Sequence, residues 1–304
     1  MALAQPLRVG IVGGGLMGSG IAETVARAGH DVALYEPIAD ARAGSQQRIT
    51  ASSERALAAG KLDEAAQQAL LARIRYVDEL AGLGDRELVI EAVVEDLEVK
   101  LDVFRHLDRE APADALLASN TSSIPIAALA SAVRAPERVL GLHFFSPAPV
   151  MRLVEVVSAL DTSEQTAATA TRFVESLGKT AVATKDRSGF VVNMLLIPYL
   201  VAAVRMLEEG FATREDIDSG MTLGCGHPMG PLALCDFIGL DVVCSVCDSL
   251  FEEFKKAEYA APPLLRRMLS AGRLGRKSGR GFYEYDGSDA ASSRSRSAAR
   301  NRAA

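Results

Sequence analysis

Short apolar runs separated by amphipathic stretches recur through the first 187 residues. "LRVGIV" at 7–12, "DVALYE" at 31–36, "IRYV" at 74–77, "LVIEAVV" at 88–94, "ALLAS" at 115–119 and "RVLGLHF" at 138–144 each have the length of a short buried strand, and all but the fifth carry β-branched residues. Helical periodicity around 97–110 and 125–133 separates the later runs. Strands alternating with helices imply a mostly parallel sheet covered by helices. Between the second and third strands, the polar-amphipathic stretch 40–71 reads as two helices broken near Ala59–Leu62.

Past Lys185 the period changes. "SGFVVNMLLIPYLVAAVRMLEEG" predicts a long helix from Ser188 to Gly210, bent near Pro198 because proline removes a ladder hydrogen bond. That helix is apolar on nearly every side, which predicts burial in a domain or subunit interface and favours a homodimer. Thr213 then caps a helix with an acidic first turn, and "GPLALCDFIGLDVVCSVCDSLFEEF" and "PPLLRRMLSAG" continue the helical series. The domains expected are 1–187 with a helical arm at 40–71, an all-α domain over 188–286, and a disordered basic tail over 287–304.

Composition adds limits. The 304 residues are 49% hydrophobic and 24% charged, which is the range of a globular protein. A formal net charge of −6 gives no reason to expect a nucleic-acid partner. Runs of about 18 uninterrupted apolar residues, as a membrane span needs, do not occur. The start, "MALAQPLRVGIVGGG", lacks the basic end and apolar core of a signal peptide, so a cytoplasmic location is the default. Cys225, Cys235, Cys244 and Cys247 fall close together, with His227 nearby. Because "LDVVCSVCDSL" reads as helix, its C-x-x-C is expected to pack as small buried apolar groups and bind no metal.

The first strand runs into Gly13-Gly14-Gly15-Leu16-Met17-Gly18 and a helix, and the second strand ends at Glu36. In that context Gly13-x-Gly15-x-x-Gly18 is a dinucleotide fingerprint: a tight turn, backbone open to a pyrophosphate, and close helix–strand packing. Glu36 is placed to accept from ribose hydroxyls and to repel a 2′-phosphate, so NAD is preferred over NADP. The fold expected is therefore α/β, a Rossmann-type domain with a mostly parallel sheet followed by an all-α domain.

"GLHFFSPAPVMRLVEVV", residues 141–157, places His143 and Glu155 in apolar surroundings on either side of a turn marked by Pro147 and Pro149. An antiparallel return centred on residue 149 brings them together. A carboxylate accepting from one imidazole nitrogen fixes the tautomer and leaves the other free to take a proton from an alcohol. Spacing alone fits a structural ion pair between strands equally well.

The segments "GIVGGGLMGSGIA", "EAVVEDLEVK", "SNTSSIPI", "GLHFFSPAPVMRLVEVV", "DRSGFVVNMLLIPYL", "LGCGHPMGPLALCDFIGLD" and "GRLGRKSGRGFYEY", over residues 7–286, resemble the L-3-hydroxyacyl-CoA dehydrogenases. The resemblance implies an NAD-dependent enzyme acting on an acyl-CoA, with short chains such as 3-hydroxybutyryl-CoA expected. It implies that His143 and Glu155 are the catalytic pair and that Ser122 and Asn193 place the substrate oxygen. Glu95, Lys100 and Lys277 match cofactor positions. Ser52 and Lys61, on an arm resembling the family's coenzyme A surface, are candidate contacts. Ser146 stands where many relatives carry asparagine beside the cofactor, and Met194 where an arginine is frequent. Two other readings share the fold: a sugar-acid dehydrogenase of the gulonate type, and a crystallin-like protein that binds NAD without turnover.

Overall fold

In the computed structural model, residues 5–285 are described. They divide into two compact units between Phe190 and Val191.

The first unit is built on eight strands: β1 (Arg8–Val12), β2 (Asp31–Tyr35), β3 (Ile74–Val77), β4 (Leu88–Glu91), β5 (Leu116–Ser119), β6 (Val139–Phe144), β7 (Leu153–Ser158) and β8 (Thr180–Lys185). They lie side by side in the order β3-β2-β1-β4-β5-β6-β7-β8. All neighbours are parallel except β6 and β7, which are antiparallel. The first six strands thus follow the doubly wound 3-2-1-4-5-6 order, whose ligand crevice lies at the carboxyl ends of the strands. β4 stops at Glu91, shorter than its apolar run suggests.

Alternation along each strand feeds two cores. Val9, Ile11, Leu88 and Ile90 pack with α1 (Leu16–Arg27), α2 (Ala39–Ala58), α3 (Glu64–Ala72) and α6 (Glu164–Ser176). Val12 and Val89 pack on the other face with Phe104 and Leu107 of α4 (Leu97–Glu110) and Leu129 of α5 (Ile126–Ala130). The expected break in the arm falls between α2 and α3, where Asp63 caps α3 through the Ala66 N–H at 2.7 Å.

The second unit is helical: α7 (Val192–Glu208), α8 (Arg214–Cys225), α9 (Pro231–Ile238), α10 (Leu240–Phe254) and α11 (Pro263–Ser270) around one apolar cluster. α7 begins four residues after the predicted start at Ser188, because Ser188–Val191 forms a turn, and it continues through Pro198. Thr213 caps α8 as expected. The predicted basic tail lies outside the described residues.

Candidate active site

Three carboxyl ends of the sheet converge on one crevice. His143 is the fifth residue of β6, and Glu155 faces it directly on the antiparallel rung of β7. Residues opposite each other on such a rung share a face. Leu142, Phe144, Val154 and Val156 belong to one core, so His143 and Glu155 turn to the other. His143 is 4% exposed and Glu155 fully buried, and Nδ1 lies 2.7 Å from Glu155 Oε2. An ionised carboxylate can only accept, so Nδ1 carries the proton and Nε2 is left as an acceptor. Ser122 Oγ donates to that Nε2 at 2.8 Å. The rings of Phe145 and Phe190 stand 4.6 and 5.4 Å from the imidazole and shield it from water. The imidazole is held in one orientation near the carboxyl end of β6.

Ser122 sits in the loop after β5, and it is not a helix cap. Thr121 Oγ1 closes the turn, accepting from the Ser123 and Ile124 N–H groups at 3.2 and 2.9 Å, while the first N–H groups of α5 donate to Asp186. Asn120 Oδ1 accepts from the Phe144 N–H at 2.8 Å and ties this loop to β6. Asn120, Thr121 and Glu91 are not among the residues singled out from the sequence, although the run "SNTSS" after a strand is a signal for the first two.

The glycine loop follows β1. Gly13 has φ +101°, and a Cβ there would meet the Ala92 carbonyl oxygen at 2.7 Å. A Cβ on Gly18 would lie 1.8 Å from the Gly13 oxygen. A Cβ on Gly15 would meet nothing within 4 Å, so the loop is open on that side. Gly15 caps α1 without a side-chain bond, and the first turn holds no acid, so its N–H groups face outward unpaid by side chains.

The profile of the 3-hydroxyacyl-CoA dehydrogenase NAD binding domain matches residues 8–187, and that of the same family's C-terminal domain matches residues 189–285. The chain belongs to the 3-hydroxyacyl-CoA dehydrogenase family. It is 54% identical to a 3-hydroxybutyryl-CoA dehydrogenase of Mycobacterium tuberculosis, over 91% of this chain and 98% of that protein. The mitochondrial hydroxyacyl-coenzyme A dehydrogenase of Sus scrofa is 41% identical, over 91% of this chain and 90% of its own. Among solved structures, the (S)-3-hydroxybutyryl-CoA dehydrogenase PaaH1 of Ralstonia eutropha superposes with a TM-score of 0.89 at 41% identity, covering 93% of this chain and 100% of that one.

As a member of that family the chain is an NAD-dependent oxidoreductase. Its glycine loop fits the cofactor: Gly13 and Gly18 sit where any side chain would clash, and the α1 N-terminus offers donors to a pyrophosphate. Leu16 and Met17 follow Gly15 at the start of α1. Glu36, at the tip of β2, accepts from the Gly14 N–H at 2.9 Å and from the Ile38 N–H at 3.2 Å. Its carboxylate therefore braces the loop and retains lone pairs for a ribose. Arg48 of the arm, unforeseen in the sequence, donates to the Gly14 carbonyl and, at 3.3 Å, to Ser19 Oγ.

The other predicted residues fall in different settings. Glu95 contacts the Ser122 loop, while Lys100 is 1% exposed and paired with Glu91 and Glu95 rather than solvated. Ser146 is exposed in the turn after Phe145. Asn193 and Met194 lie half-buried in the first turn of α7, in the second unit. Lys277, also there, pairs with Asp241.

Ser52 and Lys61 line a cleft of about 750 Å³ beneath the arm, together with Arg27, Arg55, Arg152 and Lys179. Five cations face one acid, Glu23, which is 1% exposed. Burial pushes the Glu23 carboxyl above the usual range, against the opposing pull of Ser52, Arg27 and Arg55.

Cys244 and Cys247 are buried, as expected for the C-x-x-C, and so is Cys235, while Cys225 is exposed at the end of α8. Burial pushes the Cys247 thiol up to about 12 and raises Cys235 and Cys244 as well, the opposite of what thiolate ligation needs. Among the described residues no cluster of His, Cys, Asp and Glu is arranged to hold a metal, and no helix is long and apolar enough to cross a membrane.

Proposed function

We propose that the chain interconverts (S)-3-hydroxyacyl-CoA and 3-oxoacyl-CoA, with 3-hydroxybutyryl-CoA and acetoacetyl-CoA as its substrate pair. The observation that carries the reading is the line Glu155–His143–Ser122, with contacts of 2.7 and 2.8 Å ending at an imidazole nitrogen free to accept. His143 Nε2 takes the proton of the 3-hydroxyl as general base. Glu155 stabilises the imidazolium that forms, and Ser122 Oγ turns from Nε2 to the substrate oxygen. Asn193 donates to the same oxygen. When bound, NAD supplies the acceptor for the hydride that leaves C3. Loss of that proton and of the hydride would turn the C–O bond into a carbonyl.

Residues 13–18 and Glu36 hold the cofactor, with Glu95, Ser146 and Lys277 as further contacts, and the Glu36 carboxylate disfavours a 2′-phosphate. The short-chain assignment rests on relatives at 54% and 41% identity whose names specify 3-hydroxybutyryl-CoA. The arm cleft, with five cations and Ser52, suits the phosphates of coenzyme A and has no purpose for a sugar acid. Leu195, Phe211 and Leu223, 73%, 78% and 87% exposed on the helical unit, suit a homodimer formed through that unit. The enzyme acts in the cytoplasm.

The deciding experiment follows loss of NADH absorbance with acetoacetyl-CoA, beside NADPH and beside 3-dehydrogulonate. Turnover of the CoA thioester with NADH, and little with NADPH, is expected. Turnover of the sugar acid alone, or NADH binding with no turnover of either, would sink the proposal.

A further inference from the structure

The peptide between Gly14 and Gly15 is held from the arm. Arg48, half-buried in α2, donates from Nη2 to the Gly14 carbonyl oxygen at 2.5 Å and from Nε to Ser19 Oγ at 3.3 Å. Ser19 Oγ itself lies 2.9 Å from that carbonyl oxygen and 2.9 Å from Ser45 Oγ, which meets the Tyr76 hydroxyl at 3.0 Å. Ser19 and Ser45 are buried, so α1, α2, β3 and the glycine loop join here away from water. The Gly14 N–H belongs to the preceding peptide and is held separately, by Glu36.

Gly44 stands one turn before Arg48 inside α2, where only proline suits a helix less than glycine does. A Cβ there would lie 3.3 Å from Arg48 Nη1, so the guanidinium takes up the room a side chain would use. The buried Gly14 carbonyl needs a donor, and Ser19 alone could supply one. What the guanidinium adds is a charged hold at two points. Its consequence lies on the other edge of the peptide plane. The Gly14–Gly15 peptide is trans, so the Gly15 N–H points opposite to the Gly14 carbonyl. With the carbonyl drawn toward the arm, that N–H turns away from it, on an exposed residue whose Cβ would meet nothing within 4 Å. Glycine on both sides lets such a plane turn over at little cost, and the reversed plane would show an anion a carbonyl oxygen.

We infer that Arg48 is a positioning residue, which locks the Gly14–Gly15 peptide with its N–H outward so that this N–H donates to the pyrophosphate of the cofactor. This rests on the reading of residues 13–18 as the cofactor loop. Arg48 acts through the Gly15 N–H, so its effect falls on ligands that carry a pyrophosphate. Adenosine is spared, because Glu36, which accepts from the ribose, braces the other peptide of Gly14.

The test measures three ligands on the full chain: NADH by fluorescence titration, with ADP-ribose and adenosine as competitors against it. Arg48→Met should weaken NADH and ADP-ribose about 10- to 150-fold, the equivalent of one hydrogen bond to a charged group, and adenosine less than about threefold. The KM for acetoacetyl-CoA at saturating NADH should stay within about threefold, although Ser52 and Arg55 of the cleft lie one and two turns further along α2. Arg48→Lys should lose most of the same factor, since a point-charge ammonium cannot hold the Gly14 and Ser19 oxygens at once. Unchanged NADH affinity in Arg48→Met, or parental affinity in Arg48→Lys, would overturn the inference. Equal losses of all three ligands, or a matching rise in that KM, would mean that Arg48 only braces the arm and would overturn it too. Should Arg48→Met not fold, Arg48→Lys on the same three ligands decides. Gly15→Val separates the inference from the reading beneath it, because its side chain enters the open space beside the loop. If that variant binds NADH as the parent does, the loop reading fails and takes the inference with it; if it loses NADH while Arg48→Met is harmless, the inference fails alone.

Discussion

Replacing Glu155 by glutamine keeps the shape of the side chain and deletes its charge. The carboxylate is fully buried and lies 2.7 Å from His143 Nδ1, so no water takes over its role. In turnover that contact becomes a bond between a carboxylate and an imidazolium. A hydrogen bond to a charged group contributes about 1.5–3 kcal/mol. Each 1.4 kcal/mol or so is a tenfold change in rate, so kcat should fall about 10- to 150-fold. The glutamine oxygen can still accept from Nδ1, which keeps the tautomer and confines the loss to the charged state. The assay is steady-state reduction of acetoacetyl-CoA, with NADH affinity and the circular dichroism spectrum measured alongside. NADH affinity should stay within about twofold, because Glu155 is not among the residues proposed to hold the cofactor. A kcat within twofold of the parent would refute the reasoning, as would a loss of kcat matched by an equal loss of NADH affinity.

Other consequences can be measured directly. Gly18→Ala places a Cβ 1.8 Å from the Gly13 oxygen, and overpacking of about 1–3 kcal/mol should weaken NADH binding about 5- to 150-fold by titration. Neutralising Arg55 and Lys61 together should raise KM for acetoacetyl-CoA about 5- to 30-fold, at about 0.5–1 kcal/mol for each partly solvated cation, with kcat unchanged; an unaltered KM would dissociate the arm cleft from coenzyme A. His30 is buried and its pKa is lowered by that burial, with Nδ1 accepting from the Leu7 N–H. Below its ordinary pKa of about 6.5 the unfolded chain takes up a proton that the folded chain refuses, so stability drops as pH falls, by at most about 1.4 kcal/mol per pH unit. In urea melts, His30→Gln should flatten that slope between about pH 6.5 and 5, relative to the parent; an unchanged slope would refute it.

The legible parts of the fold are those in which one signal suffices. Strands β1 to β6 are apolar runs, the glycine loop carries its own spacing, and the arm breaks where polar residues and Gly60 interrupt it. The His143–Glu155 rung is legible because two prolines fix a turn between two runs whose alternation admits one register. β8 is not, since "TAVATK" lies at the sheet edge with no buried residue and gives no alternation to read. The Glu91 cluster is hidden for a different reason. Its members come from β4, α4 and the loops after β4 and β5, and their meeting is a property of strand order that local periodicity does not encode. The same holds for Arg48, whose hold on Gly14 spans 34 residues of chain. Cys225 differs from the other cysteines because it sits at the last position of α8, beyond the stripe that the helix buries.

The antiparallel rung separates precision from choice. His143 and Glu155 are held by the pairing of β6 with β7 and by the alternation of Leu142, Phe144, Val154 and Val156 into the core, a pairing that takes in no side chain of the turn. That turn, by contrast, carries Pro147 and the run from Pro149 to Arg152 into the wall of the arm cleft. Exchanging Pro149, Val150 or Met151 can therefore reshape the wall while the paired strands keep His143 and Glu155 in register. One hairpin thus offers an invariant half, where the reaction is decided, and a variable half, where the guest is.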